Sequence, residues 1–152
     1  MFLSLSTKFA ASALLITLSP LLVLPTLAQS SSSLSYDPVY GTDTTPLSGL
    51  ACSNGANGLG TKYPTLGSLK NFPNVGAAPT VSQWGDPNCG KCYTVTYGPT
   101  GVSVNIVAVD VGRGGFVVSQ QAMDTLTGNQ ALFYGRVDVT YVEADLSACQ
   151  LP

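Results

Sequence analysis

The chain carries four cysteines, Cys52, Cys89, Cys92 and Cys149, and no histidine. This pairing of facts constrains fold and chemistry together. Histidine-based triads, the common catalytic zinc shells and His-ligated haem all require an imidazole, so each is excluded. An even cysteine count behind an apolar leader is the pattern of a small secreted domain held by disulfides. Any chemistry it performs must run on carboxylates, amides and aromatic rings.

Residues 1–28 read as a secretory signal. Lys8 supplies the positive end, residues 10–24 are dominated by Ala, Leu, Ile and Val, and Thr26-Leu27-Ala28 offers a small residue for cleavage before Gln29. Pro20 and Pro25 interrupt the apolar run, so membrane insertion is not expected. Residues 29–152 contain no composition break or linker and read as one domain. Loss of the leader removes Lys8 from the 6 basic side chains that stand against 8 acidic ones, which makes the balance more acidic. A sparsely charged, acidic surface suits a neutral, hydroxyl-rich ligand and is a poor partner for nucleic acid or anionic lipid. No Asn-x-Ser/Thr sequon occurs, so N-glycosylation is not expected.

Four cysteines allow three connectivities. A bond inside Cys89-Gly90-Lys91-Cys92 would resemble a redox motif, but such motifs begin a helix whose dipole lowers the thiol pKa. Here Cys92 leads into Tyr93-Thr94-Val95-Thr96-Tyr97, which reads as a strand. Zinc would need a second Cys-x-x-Cys knuckle, so no metal is expected. The structural reading is two long-range bonds, with Cys89 and Cys92 reaching different partners. Closing loops of that length stabilises a fold by about 4 kcal/mol per bond in the chain-entropy picture.

Along the chain, residues 29–35 read as a serine-rich, mobile start. Residues 36–40 read as extended because of Pro38, and 41–48 as loop. Cys52-Ser53-Asn54-Gly55-Ala56-Asn57-Gly58 is turn chemistry. Between 63 and 79 a proline or glycine recurs every few residues, which leaves room for at most one short helix at 66–71. Regular β structure is expected to begin near Val81. Strand 92–97, the turn Gly98-Pro99-Thr100-Gly101 and strand 102–109 form a hairpin, with Val102, Val104, Ile106 and Ala108 on one buried face. Residues 116–118 form a short strand. Ser119 caps a helix to about Leu126, closed by Gly128 and stapled by Val118 and Met123. Residues 136–143 alternate again, and the whole indicates a small closed β-barrel.

Six motifs occur in order: Tyr36-Asp37-Pro38-Val39-Tyr40, Ala51-Cys52-Ser53-Asn54-Gly55, Tyr63-Pro64-Thr65-Leu66-Gly67, Phe72-Pro73-Asn74-Val75-Gly76, Cys89-Gly90-Lys91-Cys92-Tyr93 and Val109-Asp110-Val111-Gly112-Arg113-Gly114-Gly115-Phe116. In this order the chain resembles the cerato-platanins, small secreted proteins of filamentous fungi, from Leu34 to Cys149. The resemblance implies a mainly β fold, a six-stranded double-psi β-barrel with short helices, like the first domain of expansins. It also implies the disulfides Cys52–Cys89 and Cys92–Cys149. Further implications are binding of chitin-type N-acetylglucosamine oligomers in a shallow groove, recognition by a plant receptor as a defence elicitor, self-association at interfaces, and expansin-like, non-hydrolytic loosening of polysaccharide. No cofactor is implied.

Asp110 is the residue to single out. It ends an apolar strand and precedes Gly112-Arg113-Gly114-Gly115, where missing side chains let a ligand approach the backbone. A carboxylate there can accept from two sugar hydroxyls, or it can cap the following turn. The resemblance favours the first reading, because an aspartate at the matching position is associated with the polysaccharide effect. Arg113 can donate to a sugar or pair with Asp110. Phe116 reads as core, and Val117 stands where related proteins often carry asparagine. Hydrolysis would need a second carboxylate, and no spacing aligns Asp43, Asp86 or Asp138 with Asp110, so the protein reads as non-catalytic. Asp138 reads as a solvated face residue. Trp84 and Tyr93 are expected in the core, with sugar-stacking platforms as the alternative, and Tyr36 and Tyr40, in an exposed-looking strand, are the better stacking candidates. The candidate carbohydrate-binding set is therefore Asp110, Gly112, Arg113, Gly114, Gly115, Tyr36 and Asn54.

Overall fold

The computed structural model describes residues 28–152, so the secretory reading of the leader lies, Ala28 apart, outside the described residues. Six strands follow one another in the chain: β1 (Ser30–Tyr36), β2 (Val75–Ala78), β3 (Cys92–Tyr97), β4 (Val102–Val111), β5 (Phe116–Val118) and β6 (Arg136–Ala144). Two helices, α1 (Gln120–Thr127) and α2 (Ala131–Tyr134), stand between β5 and β6. The strands close into a barrel in the order β1-β5-β2-β4-β3-β6. Pairs β1·β5 and β2·β4 are parallel and the rest antiparallel, the double-psi arrangement that the resemblance implies.

Two expectations about the first half of the chain are corrected. The serine run is not a mobile start but β1, which pairs with β5 on one edge and β6 on the other. Serine has little strand preference of its own; here ladders on both edges fix the backbone, and Leu34 is its one fully buried side chain. Regular β structure therefore begins at Ser30 rather than near Val81, and β2 lies in the segment read as irregular. Residues 36–40 are not one extended strand either. Asp37 accepts a hydrogen bond from the Val39 amide at 2.9 Å and caps a 3₁₀ turn over Pro38–Gly41. That turn buries Tyr40.

Later elements follow the sequence closely. The β3–β4 hairpin pairs Cys92 with Val107 through Tyr97 with Val102. Ser119 accepts from the Ala122 amide at 3.0 Å to begin α1, and Gly128, in the left-handed region at φ 68, ends it. The short helix expected at 66–71 is a single 3₁₀ turn, Leu66–Ser68. One face of β4 is buried as its alternation indicates, except that Val102 is exposed at the hairpin end.

β4 is covered on both sides and divides two cores. Ile106 and Ala108 join Leu34, Tyr93, Val95, Phe116 and Val118 inside the barrel, whose end α1 closes with Ala122, Met123 and Leu126. Tyr93, Phe116 and Tyr141 meet edge to face, with centroids 5.1–5.9 Å apart. Val107 and Val109 face the opposite way, onto Leu47, Leu59, Leu66 and Leu69 of the long excursion between β1 and β2. The disulfides Cys52–Cys89 and Cys92–Cys149 serve one core each. Their sequence separations, 37 and 57 residues, place the entropic stabilisation near 4 kcal/mol each.

Candidate functional site

At the end of β4 the Asp110 carboxylate is half-buried and engaged on both oxygens. Oδ1 accepts from the Ala51 amide at 3.0 Å and from the Val111 amide at 2.8 Å. Oδ2 accepts from the Tyr40 hydroxyl at 3.0 Å. Burial first, and then the neighbouring Asp110 charge, push the Tyr40 pKa well above the ordinary tyrosine value, so the phenol stays a donor. With two partners on Oδ1 and one on Oδ2, the carboxylate is largely occupied within the protein. Asp110 does cap the turn behind it, and it also ties that turn to two remote segments. Arg113 forms no salt bridge with it; the Lys91–Glu143 pair at 2.9 Å is the one ion pair among the described residues.

The four residues 112–115 form the wall of a shallow groove of about 390 Å³ that Pro79, Val81, Ser82 and Val111 also line. Two of its glycines are required by packing. A Cβ on Gly112 would strike the Ala78 carbonyl group, and one on Gly115, at φ 128, would strike the Ser33 backbone. Gly114 has open space and leaves its backbone accessible. Its carbonyl accepts from Ser33 Oγ at 2.7 Å, and Arg136 reaches the same serine at 2.7 Å. The structure thus brings together Gly112, Arg113, Gly114 and Gly115, with Asp110 at the foot of their turn. Ser33, Ser82 and Arg136 join them without having been expected, since nothing local in the sequence pairs β1 with the glycine turn.

The remaining candidates are placed apart. Tyr36 ends β1 three residues beyond Ser33, about 10 Å along the strand, and packs partly on the barrel core. Asn54 is exposed on the Cys52 loop, next to Gly85 rather than in the groove wall. Tyr40, expected as an exposed stacking ring, is buried with its hydroxyl on Asp110. Trp84, expected in the core, is 53% exposed. Its loop carries it outward because Ser82 and Asn88 turn the chain tightly around Asp86. Tyr93 and Phe116 are core residues as expected, and Val117 packs against the outer core instead of lining the groove.

The other carboxylates have partners or face away from the groove. Asp86 is buried and accepts from the Ser82 amide and hydroxyl and from the Asn88 amide and side chain. Asp124 accepts from the Ala131 amide, and Asp138 is exposed on β6. No carboxylate lines the groove. Among the described residues no group of three or more His, Cys, Asp or Glu could hold a metal, and no helix is long and apolar enough to cross a membrane.

Comparison with known proteins decides the family. A family model described as Cerato-platanin matches residues 32–151. Cerato-platanin from Ceratocystis fimbriata f. sp. platani is 47% identical over 129 residues, which cover 84% of this chain and 93% of that protein. The chain belongs to the cerato-platanin family. Among solved cerato-platanins, number 3 from M. perniciosa superposes with a TM-score of 0.77 at 44% identity, over 80% of this chain and all of that one. The solution structure described as that of the fungal elicitor Cerato-Platanin gives 0.70 at 48% identity, over 77% of this chain and 95% of that one. An expansin from Clavibacter michiganensis, 19% identical, shares the fold at 0.53, over 78% of this chain and 51% of that one.

In this cerato-platanin the loop beside the groove depends on one ionised side chain. Hydrogen bonds from the Asn88 amide, the Ser82 amide and the Ser82 hydroxyl, in that order, lower the Asp86 pKa from 3.8 to about 2. A depressed carboxylate contributes stability above its unfolded pKa and loses it as pH falls through the folded value. We expect part of the acid destabilisation between about pH 4 and pH 2 to come from Asp86. Urea midpoints measured across that range should fall less steeply for Asp86→Asn than for the parent. Parallel slopes would contradict this account of the loop.

Proposed function

We propose that this protein is a secreted, non-catalytic carbohydrate-binding protein that takes chitin-type N-acetylglucosamine oligomers at the fungal cell wall and acts as an elicitor of plant defence. The observation that carries the reading is the groove at the 112–115 turn. It offers an open backbone at Gly114, the Ser82 hydroxyl and the Arg113 guanidinium, on a turn that Asp110 caps from behind. These are hydrogen-bonding groups for sugar hydroxyls and amides, in a groove too shallow to enclose a reacting bond. Glycoside hydrolysis needs an acid and a second carboxylate about 5–9.5 Å apart, and the lining supplies no such pair. Two disulfides with no free thiol among the described residues support the extracellular location. The solved relative described as a fungal elicitor supports the role toward plants.

Calorimetric titration with N-acetylglucosamine hexamer should show saturable binding, and amide shifts in NMR spectra should concentrate at residues 110–115. Incubation with chitin, cellulose or xylan should release no reducing sugar. Absence of binding, or sugar release that Asp110→Ala abolishes, would overturn the reading.

A second reading, self-association at interfaces, is favoured by a different region. On α2, Leu132, Phe133 and Tyr134 are 74%, 80% and 45% exposed, a contiguous apolar tip on a short helix. Replacing Leu132 and Phe133 together by serine should slow adsorption at an air–water interface, measured as surface pressure, while the melting temperature stays unchanged. Adsorption at the parent rate would remove that tip from any interfacial role.

A further inference from the structure

Trp84 is the single tryptophan of the chain, and it stands on the loop between the groove and the Cys52 loop. Ser82, two residues before it, lines the groove, and Gly85, directly after it, lies against Asn54. A Cβ at Gly85 would be 3.9 Å from Asn54 Oδ1. The Asn54 side chain is exposed and makes no hydrogen bond with any described residue. The exposed indole therefore belongs to the residue next to the glycine that Asn54 approaches, on the loop facing that unengaged amide.

The loop that carries the ring is pinned from within. Asp86 Oδ2 accepts from the Ser82 amide at 2.9 Å and hydroxyl at 2.8 Å. Asn88 donates to the Thr80 carbonyl at 2.8 Å and to Asp86 at 3.0 Å. The Gly85 amide donates to the Ala51 carbonyl at 2.9 Å. Ala51 in turn donates its own amide to Asp110 Oδ1. The Cys52–Cys89 bond clamps the same two loops. A large ring displayed in water on a fixed loop loses little freedom when a ligand covers it.

From these contacts we infer that Trp84 and Asn54 form a subsite for one pyranose ring of a β-linked N-acetylhexosamine oligomer, and that Asp110 serves it as a positioning residue through Ala51 and Gly85. The inference rests on the carbohydrate-binding reading above. A pyranose in its chair form has an apolar face of C–H bonds and an edge of hydroxyl or acetamido groups. Stacking that face on the indole places the edge toward an amide that both donates and accepts. The loop residues that flank Trp84, Ser82 and Asp86, and Asn54 across from Gly85 are polar, which matches such a two-sided ligand better than a lipid surface. They differ in this from the contiguous apolar tip of α2.

One tryptophan makes the test direct. Titration with N-acetylglucosamine hexamer should change the intrinsic indole emission, with the same midpoint as calorimetry. Trp84→Ala should weaken binding about tenfold or more, while Trp84→Tyr, which keeps a stacking ring, should stay within about threefold of the parent. Asn54→Ala should weaken it by a smaller factor. Asp110→Asn can keep the Ala51 contact through its carbonyl oxygen and the Tyr40 contact by donating to the phenol oxygen, so it should bind like the parent. Asp110→Ala should bind as weakly as Trp84→Ala and give a more mobile indole in time-resolved anisotropy.

Parent binding that Trp84→Ala leaves intact would overturn the subsite and leave the carbohydrate reading standing. Equal losses in Asp110→Asn and Asp110→Ala would overturn the positioning role and make Asp110 a direct sugar contact. Binding of neither the hexamer nor cellohexaose by the parent would overturn both readings. A shift of indole emission on neutral phosphatidylcholine vesicles but not on oligosaccharide would make Trp84 an interfacial anchor and overturn the subsite.

Discussion

Both oxygens of Asp110 bind segments of this protein that are far away in sequence. Tyr40 lies 70 positions upstream and Ala51 lies 59 positions upstream. These bonds join the end of a barrel strand to the long excursion that covers the outer core. An unmade contact here would leave a half-buried carboxylate facing an amide and a phenol without partners, which costs more than the bonds contribute net. The constraint fixes where the excursion crosses the barrel, and with it the Cys52 loop. The Cys52–Cys89 bond holds that loop from its other side. The groove and the exposed tryptophan are both built on the result.

This arrangement changes what a strand-end aspartate means. A carboxylate beside a glycine turn invites the reading that it meets the ligand directly. Here the groups that line the groove are the open backbone of Gly114, Ser82 and Arg113, while Asp110 is largely occupied from within. Gly112 and Gly115 are glycines because β1 and β2 press against them, so part of the glycine pattern is packing rather than recognition. Rigid support beneath a shallow surface is what the proposed recognition calls for, since preorganisation lowers the cost of binding.

Local chemistry made much of the second half of the chain legible. Ser119 and Gly128 bracket α1, and the alternation in β4 and β6 marks the barrel faces, because capping and period-2 patterning act within a few residues. The six motifs carried the barrel and its disulfide pairing. Three features were not legible, each for a non-local reason. The serine strand exists only because β5 and β6 supply ladders on its two edges. Tyr40 is buried because Pro38 turns the chain inward toward Asp110. Trp84 is exposed because Asp86 gathers the hydrogen bonds of its loop, which no hydropathy scale can register. Of the candidate site, the glycine turn was readable, but its partners Ser33 and Arg136 come from strands that meet it only after closure.

The central claim is that Asp110 holds the excursion and the tryptophan loop in place through Ala51. Amide hydrogen exchange resolved by residue tests it most directly, comparing the parent with Asp110→Ala. The account predicts that protection falls at Ala51 and Gly85 in the variant, while amides of β3 and β4 inside the barrel keep theirs. Unchanged protection at Ala51 and Gly85 would contradict it.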